Sequence, residues 1–525
     1  MTERDSNHLN RFLSTRISWE SRYYLLCLTL ITLFLWLIAK SILFQNLEYT
    51  SDLFSHLQMS KFSFEKGLLF TNEWGRMSAI HNCYTILLFS PFTFAFGAYG
   101  LFIGTTFLYL LALWRLIALP DQLQSVQGKI AIIIAILGPT GFWLFDDPIY
   151  GWNLELNFVP MGILLAVSLI EQKFAWVAVS SILLALTKED GPVLACTIFV
   201  AHEILVRRNS PERSIPYGET AMRVAKLCAL WSVVFFLGLL LIHFQKTYSA
   251  VAGQTDYGGR LISATIRLFD SFNRPDGMNE LRSMYVGSLV LISATLVAIP
   301  TQLFKVAAAY LLASIPIYLI IAIPSFAYAG TYHGLLWPPR FALLWSLAIS
   351  LMMFFSSTET KPTTAARQAV YLMAIAASLV LQVKALSYYR TYSFIDRISY
   401  PLGLGRGDNL VSSQLSSTEI KFVECLADGV KQPSSVLTEG SLFALFHRHD
   451  IVFPAQVHHA WRTPVLAVCD LQRRLPFNSK CLDFVLQKRS DSAWQASQKG
   501  AILAIAFDSL VNQVLSACAA TNRGD

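Results

Sequence analysis

Charge is what this sequence has least of. Only 14% of its 525 residues are Asp, Glu, Lys or Arg, where a soluble domain carries about 25%. That deficit excludes a chain that is water-facing along most of its length. The eight cysteines include no C-x-x-C pair, which removes the usual zinc and dithiol redox motifs. No Walker loop, dinucleotide glycine fingerprint, G-x-S-x-G or H-E-x-x-H occurs, so those nucleotide, hydrolase and metalloprotease chemistries lose their sequence support. No internal repeat of the secondary-transporter kind is present either. The net charge of +7 comes from Lys and Arg scattered in short segments between apolar runs. Such charges orient a membrane protein, so no nucleic-acid partner is expected.

Apolar length is what the chain does have. Hydrophobic residues make up 54% and mean hydropathy is +0.48. A bilayer core takes roughly 20 apolar residues per helix. Runs of that kind fall near 23–44, 99–119, 129–146, 153–170, 173–187, 191–206, 224–244, 285–303, 306–324, 339–356 and 367–385. The first, about 22 residues long, exceeds a signal-peptide core and has no small-x-small site after it. The stretch 82–97 is shorter and broken by Ser90-Pro91 and Gly97, which predicts an interfacial or re-entrant helix. The expected fold is therefore membrane all-α, about eleven spans plus that re-entrant helix, over residues 1–385.

Lys and Arg in the short loops set the orientation. Arg4, Arg11, Arg16 and Arg22 argue for a cytoplasmic N-terminus. Alternation then puts Lys173, the run Arg207 to Lys226, Lys305, and Lys361 with Arg367 on the same side. Acids, His and Arg collect on the opposite face, in segments near 45–98, 146–154, 188–190, 245–284 and 325–338. After 385 the composition changes. Short strands at 435–439, 450–453, 466–470, 483–487 and 501–507 alternate with helical spacing at 417–431 and 440–447. A small C-terminal extracytoplasmic α/β domain over 386–525 follows. It holds Cys425, Cys469, Cys481 and Cys518, so a disulfide can form there, with the pairing left open.

Several residues suggest chemistry. Asp52 and His56, four apart on a helix, share a face. Asp52 is placed to take a proton from an attacking hydroxyl, against the plainer reading of an acid at a helix start. Asp146 and Asp147, at a membrane edge, could hold a divalent cation such as Mg or Mn bridging donor phosphate oxygens. Glu155 opens an apolar span, where an idle charge is expensive. Lys188-Glu189-Asp190 interrupts a long apolar stretch, and its Lys suits a lipid-linked phosphate. His81 and His333 are single histidines, each by itself more often structural than ligating.

Taken together, these residues resemble a widespread family of predicted bacterial and archaeal membrane proteins of unknown function. That family is in turn similar to the GT-C glycosyltransferases, which use polyprenyl-phosphate sugars. The resemblance rests on Asp52-Leu53-Phe54, on His81 with Ser90-Pro91, and on Glu155 with Pro160. It rests further on the Lys188-Glu189-Asp190 turn, on Tyr332-His333, and on the tail from Ser435 to Pro454. The family's His-Pro before the acid is Asn153-Leu154 here, and Ser90-Pro91 lies nine residues past His81. The resemblance implies Asp52 as base, with the acids near 146–155 as metal or substrate partners. It implies substrate binding by His81, Glu155, Lys188, Glu189, Asp190, His333 and Arg340, with the carrier phosphate at Lys188 or Arg340.

The expected function is transfer of a sugar from a polyprenyl-phosphate carrier to a lipid or glycan acceptor outside the bacterial inner membrane. A transporter or flippase for a lipid-linked or polar solute, and a non-catalytic envelope scaffold, are the alternatives from other classes.

Overall fold

The computed structural model describes residues 3–49, 51–65, 67, 69–72, 75–76, 81–120, 126–138, 145, 151–203, 217–246, 266, 365–387, 415–431, 434–452, 464–472 and 479–521. The first helix, α1 (Glu3–Gln45), is 43 residues long. Between positions 29 and 43 it buries Thr29, Leu33, Trp36, Ala39, Lys40 and Leu43, while Leu28, Ile31, Phe34, Leu35 and Ile38 lie exposed on the other side. Spacings of three and four make this one inward stripe, and an outward face equally apolar suits lipid. After a turn at Leu47, where φ is +62°, α2 (Ser51–Glu65) follows. A two-residue hairpin of β1 (Thr71–Asn72) and β2 (Gly75–Arg76) comes next.

The stretch from Tyr84 to Phe96 is a 3₁₀ turn running into α3 (Ser90–Phe96), with Pro91 in its first turn and Gly97 closing it. At that length it falls short of the roughly 20 residues a crossing needs. Helix α4 (Tyr99–Ala118) packs tightly on it. A side chain at Gly100 would strike the Phe92 backbone, and one at Gly104 the Phe89 ring. The small residues permit close helix contact, as in membrane bundles.

Four more helices are α5 (Val126–Leu137), α6 (Phe158–Ile170), α7 (Phe174–Ala185) and α8 (Gly191–Ala201). Every residue of α6 from Phe158 to Ser168 is buried, because α4, α7 and α8 surround it. Two long helices, α9 (Tyr217–Lys246) and α10 (Ala365–Ser387), complete this part.

Among the described residues, three helices are long and apolar enough to cross a membrane: Arg22–Gln45, Tyr99–Ala118 and Gly218–Phe244. The expected count of about eleven is therefore not reached there. The runs at 153–170, 173–187 and 191–206 become helices of 13, 12 and 11 residues, shortened by a 3₁₀ turn and by the tight turn at 188–190. The runs at 285–303, 306–324 and 339–356 lie outside the described residues.

The C-terminal part is a mixed five-stranded sheet of order β4-β3-β5-β7-β6. Its strands are β3 (Ser435–Leu437), β4 (Asp450–Val452), β5 (Leu466–Asp470), β6 (Gln495–Lys499) and β7 (Ile502–Ala506). β3 is parallel to β4 and β5, whereas β7 is antiparallel to β5 and β6. The sheet is flanked by α11 (Ser417–Gly429), α12 (Ser479–Arg489) and α13 (Ser509–Thr521). Cys425–Cys518 joins α11 to α13, and Cys469–Cys481 joins β5 to α12.

Two expectations are corrected, and one strand went unread. The strand predicted at 483–487 is helical, because Cys481, Leu482 and Val485 bury one face at helical spacing. The helix predicted at 440–447 is a 3₁₀ turn over Gly440–Ala444. Strand β6 had no hydrophobic signal, since its residues are mostly exposed at the sheet edge. The 440–447 segment also docks the sheet onto the helices. Phe443 packs on Phe54 of α2 with ring centroids 5.5 Å apart, and His447 on Phe44 of α1, also at 5.5 Å. That contact fixes α2, which carries Asp52.

Candidate functional site

Helices α7 and α8 form a hairpin whose connection is Thr187-Lys188-Glu189-Asp190. The turn closes because Gly191 N–H donates to the Lys188 carbonyl at 2.9 Å. A side chain at Gly191 would run into the Leu184 carbonyl. The Asp190 carbonyl accepts from Val193 and Leu194, which puts an acid at the start of α8, where the helix dipole favours it. Three charges and a hydroxyl are thus presented by four successive residues.

Two long-range pairs hold that turn. Lys188 donates from Nζ to Glu155 Oε1, with the two side chains only 14% and 4% exposed. Glu189 takes His81 Nδ1 on Oε1 at 2.8 Å, and the Asn82 backbone N–H on Oε2 at 3.4 Å. The carboxylate can only accept, so the Nδ1 of His81 carries the proton in this contact. Glu155 reaches the turn from a 3₁₀ turn, Leu154–Asn157, that leads into α6. Acidic, basic and imidazole groups from three separate segments therefore meet at one end of a helical bundle.

A fourth segment, α2, lies against them. His56 donates from Nδ1 to the Asp52 carbonyl at 2.7 Å, the acceptor being a carbonyl. Its ring packs edge-on to Trp152 at 5.1 Å. Trp152 is fully buried and donates from Nε1 to Thr105 Oγ1 at 2.8 Å. Asp52 itself is half-buried in the first turn of α2, one turn before His56.

The cluster polarises its members differently. For Lys188, burial works against the ammonium, but Glu155, Glu189 and Asp190 outweigh it and hold the group charged. Burial would also raise Glu189, yet His81 and Lys188 bring it down to about 2. Asp190 moves the other way, to about 6, through burial and the neighbouring Glu189. Burial, with His81 and Lys188 nearby, lowers His56 to about 4. At neutral pH the site thus holds a neutral imidazole, a fixed ammonium, and one carboxyl titrating near the working range.

Linkage turns these directions into a test. An acid raised from 3.8 to about 6 binds more protons folded than unfolded across that window. Its contribution to stability is therefore present at low pH and lost as pH rises from 3.8 to about 6. The Tm of Asp190→Asn relative to wild type is expected to be most favourable at about pH 7 and to fall back as pH is lowered through that window. Paired thermal melts in detergent at several pH values read this directly. A difference independent of pH would contradict the burial of Asp190.

Of the residues read from the sequence, His81, Glu155, Lys188 and Glu189 meet through direct contacts. Asp190 couples electrostatically to Lys188 and Glu189. Lys188 is paired with Glu155, 33 residues away, and its chain neighbours Glu189 and Asp190 add to the field that holds it charged. Asp146, Asp147, His333 and Arg340 lie outside the described residues.

Lys40 and Trp152 carry weight that the sequence reading missed. Lys40 is fully buried, donates to the carbonyls of Phe145 (3.2 Å) and Gly151, and lies 4.9 Å over the Phe102 ring. A lone Lys inside an apolar run was the signal. At Gly151 φ is +77°, and a side chain there would enter the Tyr49 ring. Lys40 therefore anchors the backbone that leads into Trp152 and Glu155.

Among the described residues of this cluster, the donor atoms give no tight metal set. Among the described residues, one group of three candidate ligand side chains comes close enough to hold an ion: Glu439, Cys469 and Cys481. Its two sulfurs are joined in a disulfide, which removes the thiolates a metal would need.

The model of a family described as a predicted membrane protein (DUF2079) matches residues 60–503. No curated protein matches the chain. Solved structures that are similar include the Archaeoglobus fulgidus oligosaccharyltransferase in its apo form. It is 10% identical, with 85% of this chain and 70% of that chain covered and a TM-score of 0.36. Another is the oligosaccharyltransferase AglB from the same organism, in complex with an inhibitory peptide and a dolichol-phosphate. There the identity is 10%, the coverage 92% and 74%, and the TM-score 0.36. Both TM-scores are too low to establish a shared fold.

Proposed function

Since the chain belongs to the DUF2079 family of predicted membrane proteins, we propose that it is an integral membrane glycosyltransferase of GT-C type. It would move a sugar from a polyprenyl-phosphate carrier to a lipid or glycan acceptor on the extracytoplasmic side. The observation that carries this reading is the Glu155–Lys188 and His81–Glu189 cluster, built where short apolar helices end and faced by the helix bearing Asp52.

In this reading an acceptor hydroxyl attacks the anomeric carbon and the bond from that carbon to the phosphate oxygen breaks. The carrier phosphate leaves with the bonding pair, and the hydroxyl proton passes to the Asp52 carboxylate. Lys188, held by Glu155, is the cation for the phosphate, since a membrane interface delivers a lipid phosphate at that depth. A divalent cation at Asp146 and Asp147 would add to that charge. The remaining apolar runs complete about eleven spans, and the 386–525 domain stands outside the membrane.

The experiment is direct. The purified full chain, incubated with a short-chain polyprenyl-phosphate hexose and extracted membrane lipids or glycans, should release polyprenyl phosphate and label an acceptor. Movement of intact donor across liposomes, without release, would instead support a transporter.

Orientation has its own check. In a version lacking Cys27, Cys83, Cys196 and Cys228 but keeping both disulfides, a new Cys at Leu69 or Gln498 should react with an impermeant maleimide in intact cells. A Cys at Ser210 or Thr360 should react only after permeabilisation. Labelling at Ser210 from outside would overturn the orientation and the outward-facing site with it.

A further inference from the structure

We infer that the side-chain carbonyl of Asn82 is a sugar-binding group, accepting a hydrogen bond from a hydroxyl of the sugar on the polyprenyl-phosphate donor. This assignment rests on the glycosyl-transfer reading above. Asn82 is 4% exposed, and its buried Oδ1 has no hydrogen-bond partner among the described residues. Buried acceptors are nearly always paired, because leaving one unpaired forfeits its hydration without return. An orphan at a site is thus a place reserved for another group.

The surroundings agree. Asn82 is pinned to the charged turn by its own N–H on Glu189 and by its neighbour His81 on the same carboxylate. Across from it α9 carries Gly238, where an added side-chain carbon would lie 2.5 Å from Asn82 Nδ2. Helix α9 has no side chain where the amide sits, so the amide has a seat between the turn and that helix.

The chemistry selects the ligand. A carbonyl oxygen accepts from O–H or N–H and repels an anion, so it does not serve the carrier phosphate. Lys188 adjoins Glu189 in the chain and is the cation a phosphate would meet. The sugar is bonded to that phosphate, so a phosphate at Lys188 would bring its hydroxyls to the groups around the turn, of which Asn82 is one. Lys188 is paired with Glu155 and Glu189 with His81, so these groups supply charge to the site. Asn82 contributes the neutral acceptor that a polyhydroxylated ring needs.

The test uses the full chain in nanodiscs and two probes, a polyprenyl-phosphate hexose and the same polyprenyl phosphate without the sugar. Asn82→Ala and Asn82→Leu both remove the acceptor, and Leu keeps the bulk that packs on Gly238. Each should bind the sugar-bearing lipid roughly tenfold more weakly and the sugar-free lipid as well as wild type. Equal loss on both lipids, no loss on either, or a change confined to thermal stability would show the amide to be packing only. A wild-type preference for the sugar-bearing lipid that survives in both variants overturns this inference alone. A wild-type chain that binds neither lipid overturns the glycosyl-transfer reading and this inference together.

Discussion

Asp52→Asn should lower transfer by roughly 10²–10⁴-fold, the usual contribution of a positioned general base. Asn has nearly the same shape and keeps the backbone carbonyl to which His56 donates at 2.7 Å, so the start of α2 is preserved. The stability cost should be small beside the loss of turnover, because the exchange is nearly isosteric. The result to look for is loss of turnover at normal yield, with a melting curve like that of wild type. Saturating donor should not restore the rate, because the missing group acts on the acceptor proton. Full activity in Asp52→Asn would move the base elsewhere. The structure then points to Asp190, not Glu155. Glu155 is committed to Lys188, whereas Asp190 titrates at about 6, close to where a general base works best.

Breaking the Lys188–Glu155 pair should produce the largest loss of stability. Removing one partner of a buried pair costs about 3–5 kcal/mol, since the other charge is left without compensation. Lys188→Met leaves Glu155, 4% exposed, without its ion-pair partner, and is the harsher case; Glu155→Leu leaves an ammonium, 14% exposed, that Glu189 and Asp190 offset only in part. Both single variants should melt early. The double variant Lys188→Met with Glu155→Leu removes both charges and should recover most of the stability, because apolar groups of similar volume can replace a buried pair. Donor binding should not recover with it. Losing a charge-assisted contact to phosphate costs about 1.5–3 kcal/mol, or roughly ten- to more than a hundred-fold in affinity. Recovery of both stability and donor affinity in the double variant would mean that the pair only holds the hairpin together. The two readouts from one set of purified variants separate structural from donor-binding roles.

Several features of the site are legible in the amino-acid sequence. Glu155 stands out because a charge at the start of an apolar run must be paired or used. Lys188-Glu189-Asp190 stands out for the same reason, interrupting a stretch that is otherwise apolar. Their pairing is not legible. Glu155 and Lys188 are 33 residues apart, and His81 and Glu189 are 108 apart. Nothing in either local sequence states a distance across the fold. Asn82 is invisible for a similar reason, since a polar residue near a helix start is ordinary until its oxygen is seen to lack a partner among the described residues. The cysteines repeat the lesson: four Cys allow three pairings, and only the packing of α11 on α13 and of α12 on β5 selects one.

What the sequence by itself determined is membership of the membrane class and the places where charge interrupts apolar chain. Hydropathy is a sum over consecutive residues, so a run such as Arg22–Gln45 declares itself without reference to anything distant. Short elements escape that sum. Residues 483–487 read equally well as strand or helix, and Gln495–Lys499 carried no apolar signal because an edge strand needs none. The tertiary structure alone decided which charges neutralise which, how far α6 is enclosed, and that the sheet docks through Phe443 on the helix of Asp52. Those outcomes depend on distances between segments, and electrostatics and desolvation act over such distances and not along the chain.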